Sequence, residues 1–319
     1  MKKTLLCLFL LVSSVVLFAD ETVKSVRLGL LNGPSCIPAA YLVENCKEIE
    51  GAKVTAEKFA DVPALLPKML KNEIDIGFMP LNVAAKVYNS SGAVVCCGIT
   101  GTGNLALITK NSDVKRFDDL KGKTVYVAGQ GATPEYMFKY LLEKNEIKTN
   151  SREGVTLSFS IPTAQIVPQL LAGKIQYALV PEPFATIARM KSKEVVVAID
   201  IQDEYEYFNG KGSTYPLTVM VVRKGFAEKN KDLLDAFLRK YEESCSWTIR
   251  YPKAAGELCE KLDFGLAAGV VATSIPRANY VFVSSEYART EAEKLLNLFL
   301  QNDQASIGGK LPDDGFYFR

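Results

Sequence analysis

Residues 124–136, Thr-Val-Tyr-Val-Ala-Gly-Gln-Gly-Ala-Thr-Pro-Glu-Tyr, read as a strand, a glycine turn and the start of a helix. Gly129 and Gly131 let the backbone approach a bound molecule closely, and free amides at a helix start attract carbonyl oxygens or negative charge. Gln130, Ala132, Thr133 and Tyr136 stand around that turn. Comparable loops follow other apolar runs: Asn32, Ser35 and Cys36 after 26–31, Pro80 and Asn82 after 74–79, and Thr102 and Asn104 in the small polar segment 100–104. Thr163 and Gln165 open a helix-like stretch, and Glu182 sits between Pro181 and Pro183 at the end of an apolar run. Hydroxyls, amides and backbone groups of this kind recognise a small polar ligand.

Several of these residues have plainer roles open to them. Asn32-Gly33-Pro34 is a turn formula, Ser35 and Thr133 are positioned to cap helices, and 100–104 fits a hairpin loop. Glu182 either lines a cleft or makes an ion pair that closes it. Tyr136, Phe184, Tyr205, Phe208 and Tyr215 are aromatic candidates for stacking on a ring, or else core and rim residues.

The 319 residues include no histidine. That removes a Ser-His-Asp triad, a Cys-His pair, a histidine general base and histidine-ligated metal. No paired-carboxylate or nucleophile motif stands out. The cysteines lack CxxC spacing, so neither a metal nor a cofactor is expected.

Lys2 and Lys3 precede an apolar run to Phe18 and then Ala19, the pattern of a secretory leader with cleavage before Asp20. No cysteine stands at the end of that run for lipid attachment. Without Lys2 and Lys3 the 38 basic residues become 36, against 36 acidic ones, so the net charge falls from +2 to 0. Such a chain has no bulk field to draw it to nucleic acid. Six cysteines lie beyond the leader, and in an oxidising compartment Cys36–Cys46 and Cys245–Cys259 are candidate pairs by proximity alone. Cys96 and Cys97, in an apolar run, read as small buried hydrophobes.

The elements that must position these loops alternate. Strands are expected at 26–31, 74–79, 94–99, 105–109, 124–128, 155–160, 177–180 and 217–222. Helices are expected at 37–48, 64–71, 83–88, 134–144, 163–172, 184–190, 232–249, 252–261 and 284–302. Alternating βα units argue an α/β fold with mostly parallel sheets flanked by helices. Two lobes follow: 20–110 with 214–319, and 111–213, with crossings near 110–113 and 199–214. Strand ends of the two lobes then face each other across a cleft.

Three segments in this order carry a resemblance. They are Asp118 with Leu120-Lys121-Gly122-Lys123 before the glycine turn, Ile74-Asp75-Ile76-Gly77-Phe78 before a polar loop, and Leu171-Ala172-Gly173-Lys174-Ile175-Gln176-Tyr177-Ala178 followed by Glu182-Pro183. Over about 26–252 the chain resembles the periplasmic substrate-binding proteins of ABC importers, within the NMT1/THI5-like (nitrate, sulfonate and thiamine-pyrimidine) group. Gln176 and Tyr177 depart from that group's commoner Asp-Ala. The resemblance implies a type II periplasmic-binding-protein fold that closes on a small ligand and then docks on a membrane permease, acting as an exported monomer. The near absence of Lys and Arg in the candidate loops favours a heteroaromatic vitamin precursor, pyrimidine or flavin-like, over a small anion such as nitrate or sulfonate. Two other readings stay open: a ligand sensor for a membrane receptor, and a biosynthetic enzyme of the same superfamily.

Overall fold

The computed structural model describes residues 25–318. The expected leader, 1–19, lies outside them. Twelve strands form two sheets: β1 Ser25–Leu31, β2 Glu48–Ile49, β3 Ala52–Phe59, β4 Ile76–Pro80, β5 Val94–Thr102, β6 Leu105–Thr109, β7 Thr124–Val127, β8 Thr156–Ser158, β9 Tyr177–Pro181, β10 Val196–Asp200, β11 Pro216–Arg223 and β12 Tyr280–Ser284. The first sheet has the order β12-β5-β11-β4-β1-β3-β2 and the second β10-β6-β9-β7-β8. Within them β3-β1-β4 and β8-β7-β9 are parallel. Parallel pairs need crossover helices, and these cover the sheets as the alternating pattern predicts.

Local chemistry explains how closely the layers pack. The helix Val62–Leu70 starts where the Asp61 side chain accepts from the Ala64 amide at 2.9 Å, with Pro63 fixing its first turn. Its Leu65 and Met69 lie against Gly29 of β1 and Gly77 of β4. A Cβ at Gly29 would run into Leu65 Cδ1, so a side chain there would push Leu65 out of this close packing. At the amino ends of the same strands, fully buried Asp75 accepts from the Arg27 amide and Nε and from Arg223 Nη2, at 2.9, 2.8 and 2.5 Å. One carboxylate thereby fastens β1, β4 and β11 at the end of the sheet away from the loops that follow β1 and β4.

The structure corrects the lobe boundary. β6, expected in the first lobe, pairs antiparallel with β9 and β10 and belongs to the second sheet, so the first crossing is Gly103-Asn104 and not 110–113. Segment 100–104 is not a hairpin loop, because β5 runs through Thr102 on its pairing with β11 and β12. Residues 201–209, placed in the second crossing, form a helix, Ile201–Asn209, capped by Asp200. β2, β3, β10 and β12 were not expected. The candidate disulfides are also corrected, since all six described cysteines are free. Cys36 lies in the 3-10 helix Pro34–Ala39 and Cys46 caps the following helix Ala40–Asn45. At 1.5 to 2 Å per residue that run holds them roughly 15 Å apart, beyond disulfide reach. Cys245 and Cys259 are buried thiols on separate helices, and burial pushes both up to about 12.

Among the described residues no helix is long and apolar enough to cross a membrane, and no group of three or more His, Cys, Asp or Glu residues could hold a metal ion.

Candidate ligand-binding site

A cavity of about 230 Å³ lies between the strand ends of the two sheets. From the first lobe it is walled by Pro34 and Ser35 after β1, Pro80 ending β4, Thr100 and Gly101 in β5, Leu217 and Thr218 in β11, and Tyr280 in β12. From the second come Ala128 and Gly129 after β7, Ala132, Thr133 and Pro134 at the start of helix Thr133–Lys144, Thr163 opening the next helix, and Pro181 ending β9. Asn104, on the crossing strand, completes it. Proline recurs because each parallel strand ends by turning into a helix, where a fixed φ and a missing amide donor cost nothing.

No charged side chain lines this cavity. Its walls are chiefly proline, alanine and leucine carbon with isolated hydroxyls. Thr100 Oγ1 donates to the Thr218 carbonyl at 3.2 Å, and Ser35 Oγ to the Leu31 carbonyl at 3.3 Å. Asn104 Nδ2 donates to the Ala278 carbonyl at 3.1 Å. Gly129 takes φ 84°, a left-handed value that suits glycine, and so turns the chain from β7 into the helix without a side chain over the cavity.

Seven of the sixteen candidates meet here: Ser35, Pro80, Asn104, Gly129, Ala132, Thr133 and Thr163. Neither Ser35 nor Thr133 caps a helix. Gly33 and Ala132 hold those N-cap positions without side-chain bonds, and Thr133 is the first helical residue. The other nine lie off the cavity wall. Asn32 and Gln165 are exposed, as are Gln130 and Gly131 on the outside of the turn. Cys36 is a core thiol donating to the Gly33 carbonyl at 2.9 Å. Thr102 is spent on Asn279, its amide donating to that carbonyl at 3.1 Å.

Asn82 and Tyr136 join the lobes instead of facing the cavity. Asn82 Nδ2 donates across the cleft to the Gly131 carbonyl at 2.9 Å. The Tyr136 hydroxyl donates to Asp303 Oδ2 at 2.9 Å, and its ring packs edge-on against Phe299 at 4.6 Å. Burial first, then the Asp303 carboxylate, pushes that phenol well above its ordinary value. Hydrogen bonds to charged groups contribute about 1.5–3 kcal/mol. Tyr136→Phe is therefore expected to weaken ligand capture by about 10-fold, with small-angle scattering shifted toward a more open particle.

Glu182 neither lines this cavity nor makes an ion pair. It is 3% exposed, accepts from the Thr186 amide at 3.0 Å, and lines a second, separate cavity. The stacking candidates are placed elsewhere as well: buried Tyr205 and Tyr215 pack on each other at 5.2 Å, and neither Phe184 nor Phe208 reaches the wall. Tyr280 is the aromatic residue that does. It escaped the sequence reading because β12, five residues with only Tyr280 buried, has no apolar alternation to mark it. Leu217 and Thr218 sit in a strand that was expected, and only its antiparallel insertion beside β4 reveals that its first residues face the cleft.

Comparison with known proteins agrees with this architecture. Residues 19–262 match the model of the NMT1-like family. The chain belongs to that family. This NMT1-like chain is 23% identical over 248 residues, 75% of its own length and 71% of the other, to a protein of Bacillus subtilis (strain 168) named provisionally as the binding protein YtlA. A crystal structure of an ABC transporter protein from Parabacteroides distasonis superposes with a TM-score of 0.80 at 26% identity, covering 92% of this chain and 98% of that one. The periplasmic aliphatic sulphonate binding protein SsuA of Escherichia coli shares the fold at 0.71 and 18% identity, over 91% and 92% of the two chains. So does the periplasmic nitrate-binding protein NrtA of Synechocystis PCC 6803, at 0.66 and 12%, over 88% and 82%. The NMT1-like chain thus shares the fold of these periplasmic binding proteins of ABC importers.

Proposed function

We propose that this protein captures a small uncharged heteroaromatic molecule, a pyrimidine or flavin-like vitamin precursor, outside the cytoplasm and delivers it to a membrane permease. The observation that carries this reading is the cavity wall, built from both lobes and free of Lys, Arg, Asp and Glu. A flat ring loses little on leaving water for proline, alanine and leucine surfaces, and the isolated hydroxyls and Asn104 supply the few polar contacts that fix orientation. Closure follows because contacts from both lobes are complete only when the lobes meet. The leader pattern at 1–19 supports export, and a chain without histidine fits binding better than the enzymatic alternative.

A small anion is the second reading. It is favoured by helix Thr133–Lys144, whose first residue stands in the wall and so turns the positive end of the helix toward the cavity. A thermal-shift screen with pyrimidines, flavins, sulfonates and nitrate separates the two. A ligand at 100 times its dissociation constant adds about 2.7 kcal/mol of stability. A shift with a neutral ring and none with the anions supports the first reading. The reverse pattern removes it.

A further inference from the structure

The second cavity, about 510 Å³, is of a different chemical kind. Asn104 stands in the wall of both cavities. From there the second one extends along β6 and β10 and is lined by five charged side chains: Glu182, Arg189, Lys193 and Asp200 of the second lobe and Arg277 of the first. Among the described residues no ion pair joins any of these five to an opposite charge, although each salt bridge elsewhere shows that nearby partners do close up, as Lys110 does with Glu194 beside this very cavity at 3.5 Å.

Glu182 is the least explained of them. It is 3% exposed, and its Oε2 accepts from the Thr186 amide, while among the described residues no cation stands within ion-pair distance of it. A buried carboxylate in that state is costly unless something restores the missing charge. Burial raises its pKa, with the Thr186 bonds and then Arg277 and Arg189 opposing that rise from a distance. Asp200 uses Oδ1 to cap the helix Ile201–Asn209 through the Gln202 amide at 2.9 Å. Among the described residues the guanidinium groups of Arg189 and Arg277 and the Lys193 ammonium have no protein acceptor, and they are exposed while Glu182 is deep. Glu182 therefore puts one acidic group at depth, while Asp200 and the three cations stand at the rim.

We propose that this second cavity binds a small zwitterion, its ammonium group directed to Glu182 and Asp200 and its carboxylate to Arg277, Arg189 and Lys193. A molecule carrying one sign of charge would satisfy half of the wall and be opposed by the other half. One carrying both signs forms charge-assisted bonds at each end. Because Arg277 comes from one lobe and the other four residues from the second, an occupant also bridges the lobes outside the cargo cavity.

The test is a calorimetric titration of the purified protein with glycine, β-alanine, 4-aminobutyrate and 6-aminohexanoate, beside butyrate, butylamine and inorganic phosphate. One amino acid of the series is expected to bind at least about ten-fold more tightly than butyrate and butylamine. Glu182→Gln and Arg277→Gln are each expected to weaken it by about ten-fold or more. Arg277 is exposed, so its variant keeps the fold even where Glu182→Gln does not. Equal binding of butyrate or phosphate overturns the proposal in favour of a plain anion site. Absence of binding across the series, or binding that survives both substitutions, overturns it outright.

Discussion

Asp75→Ala is expected to lower the stability of the protein by about 3 kcal/mol, at the lower end of the range for breaking a buried charge pair. Asp75 is fully buried and holds two guanidinium groups at 2.8 and 2.5 Å. Removing it leaves Arg223, whose side chain is 16% exposed, desolvated and unpaired, whereas Arg27 at 36% recovers part of its hydration. The lower end of the range applies for that reason. Arg27, Asp75 and Arg223 belong to or adjoin β1, β4 and β11, so the loss loosens three neighbouring strands together. Urea unfolding at pH 7 measures it as a shift in midpoint with unchanged slope.

The same carboxylate gives the acid response a sign. Burial acts to raise the Asp75 pKa, but the hydrogen bonds from Arg27 and Arg223 outweigh it and hold the group below its ordinary value. A depressed folded pKa contributes stability that is present above the unfolded value, about 3.9, and is lost as pH falls through the folded one. The gap between wild type and Asp75→Ala therefore narrows below about pH 4. A gap that stays constant down to the acid transition contradicts this account.

What the sequence disclosed follows the same physical divisions. Apolar runs ended by proline or glycine, such as β4 before Pro80 and β7 before Gly129, marked both the element and the loop at its carboxyl end, and those loops supply Ser35, Pro80, Gly129 and Thr133 to the cavity. β3 was hidden because Lys53 and Glu57 on one face and Lys58 on the other interrupt it with charge, and its buried positions are too scattered to read as a strand. The lobe boundary was misplaced because β6 follows β5 after only Gly103-Asn104, and nothing local tells a crossing from a hairpin. Polarity misled the choice of site residues. Asn82, Thr102 and Glu182 look like ligand contacts by type, yet they fasten the lobes, a loop and a helix start. Half of the wall residues are proline, alanine and glycine, types chosen for shape, which a search for reactive groups passes over.

Gly101→Phe is expected to abolish capture of the cargo while leaving the fold intact. Gly101 lies in β5 between Thr218 of β11 and Tyr280 of β12, in the cavity wall. A Cβ built there meets no atom within 4 Å, and its φ is not left-handed, so neither strain nor backbone clash opposes a side chain. Open space beside a wall residue is the space the ligand needs. The ring of the new side chain would occupy much of a cavity of about 230 Å³ without displacing the sheet. The unliganded variant should then melt close to wild type, or slightly higher through added apolar contact, while the stabilisation of about 2.7 kcal/mol given by saturating ligand disappears. Gly98→Phe is the contrasting control. It is three residues earlier in β5, where a Cβ would stand 2.5 Å from the Val283 carbonyl oxygen, so that variant should lose stability with or without ligand. If Gly101→Phe still binds the cargo at wild-type strength, the ligand does not occupy the space between Thr218 and Tyr280, and the site must lie elsewhere in the cleft.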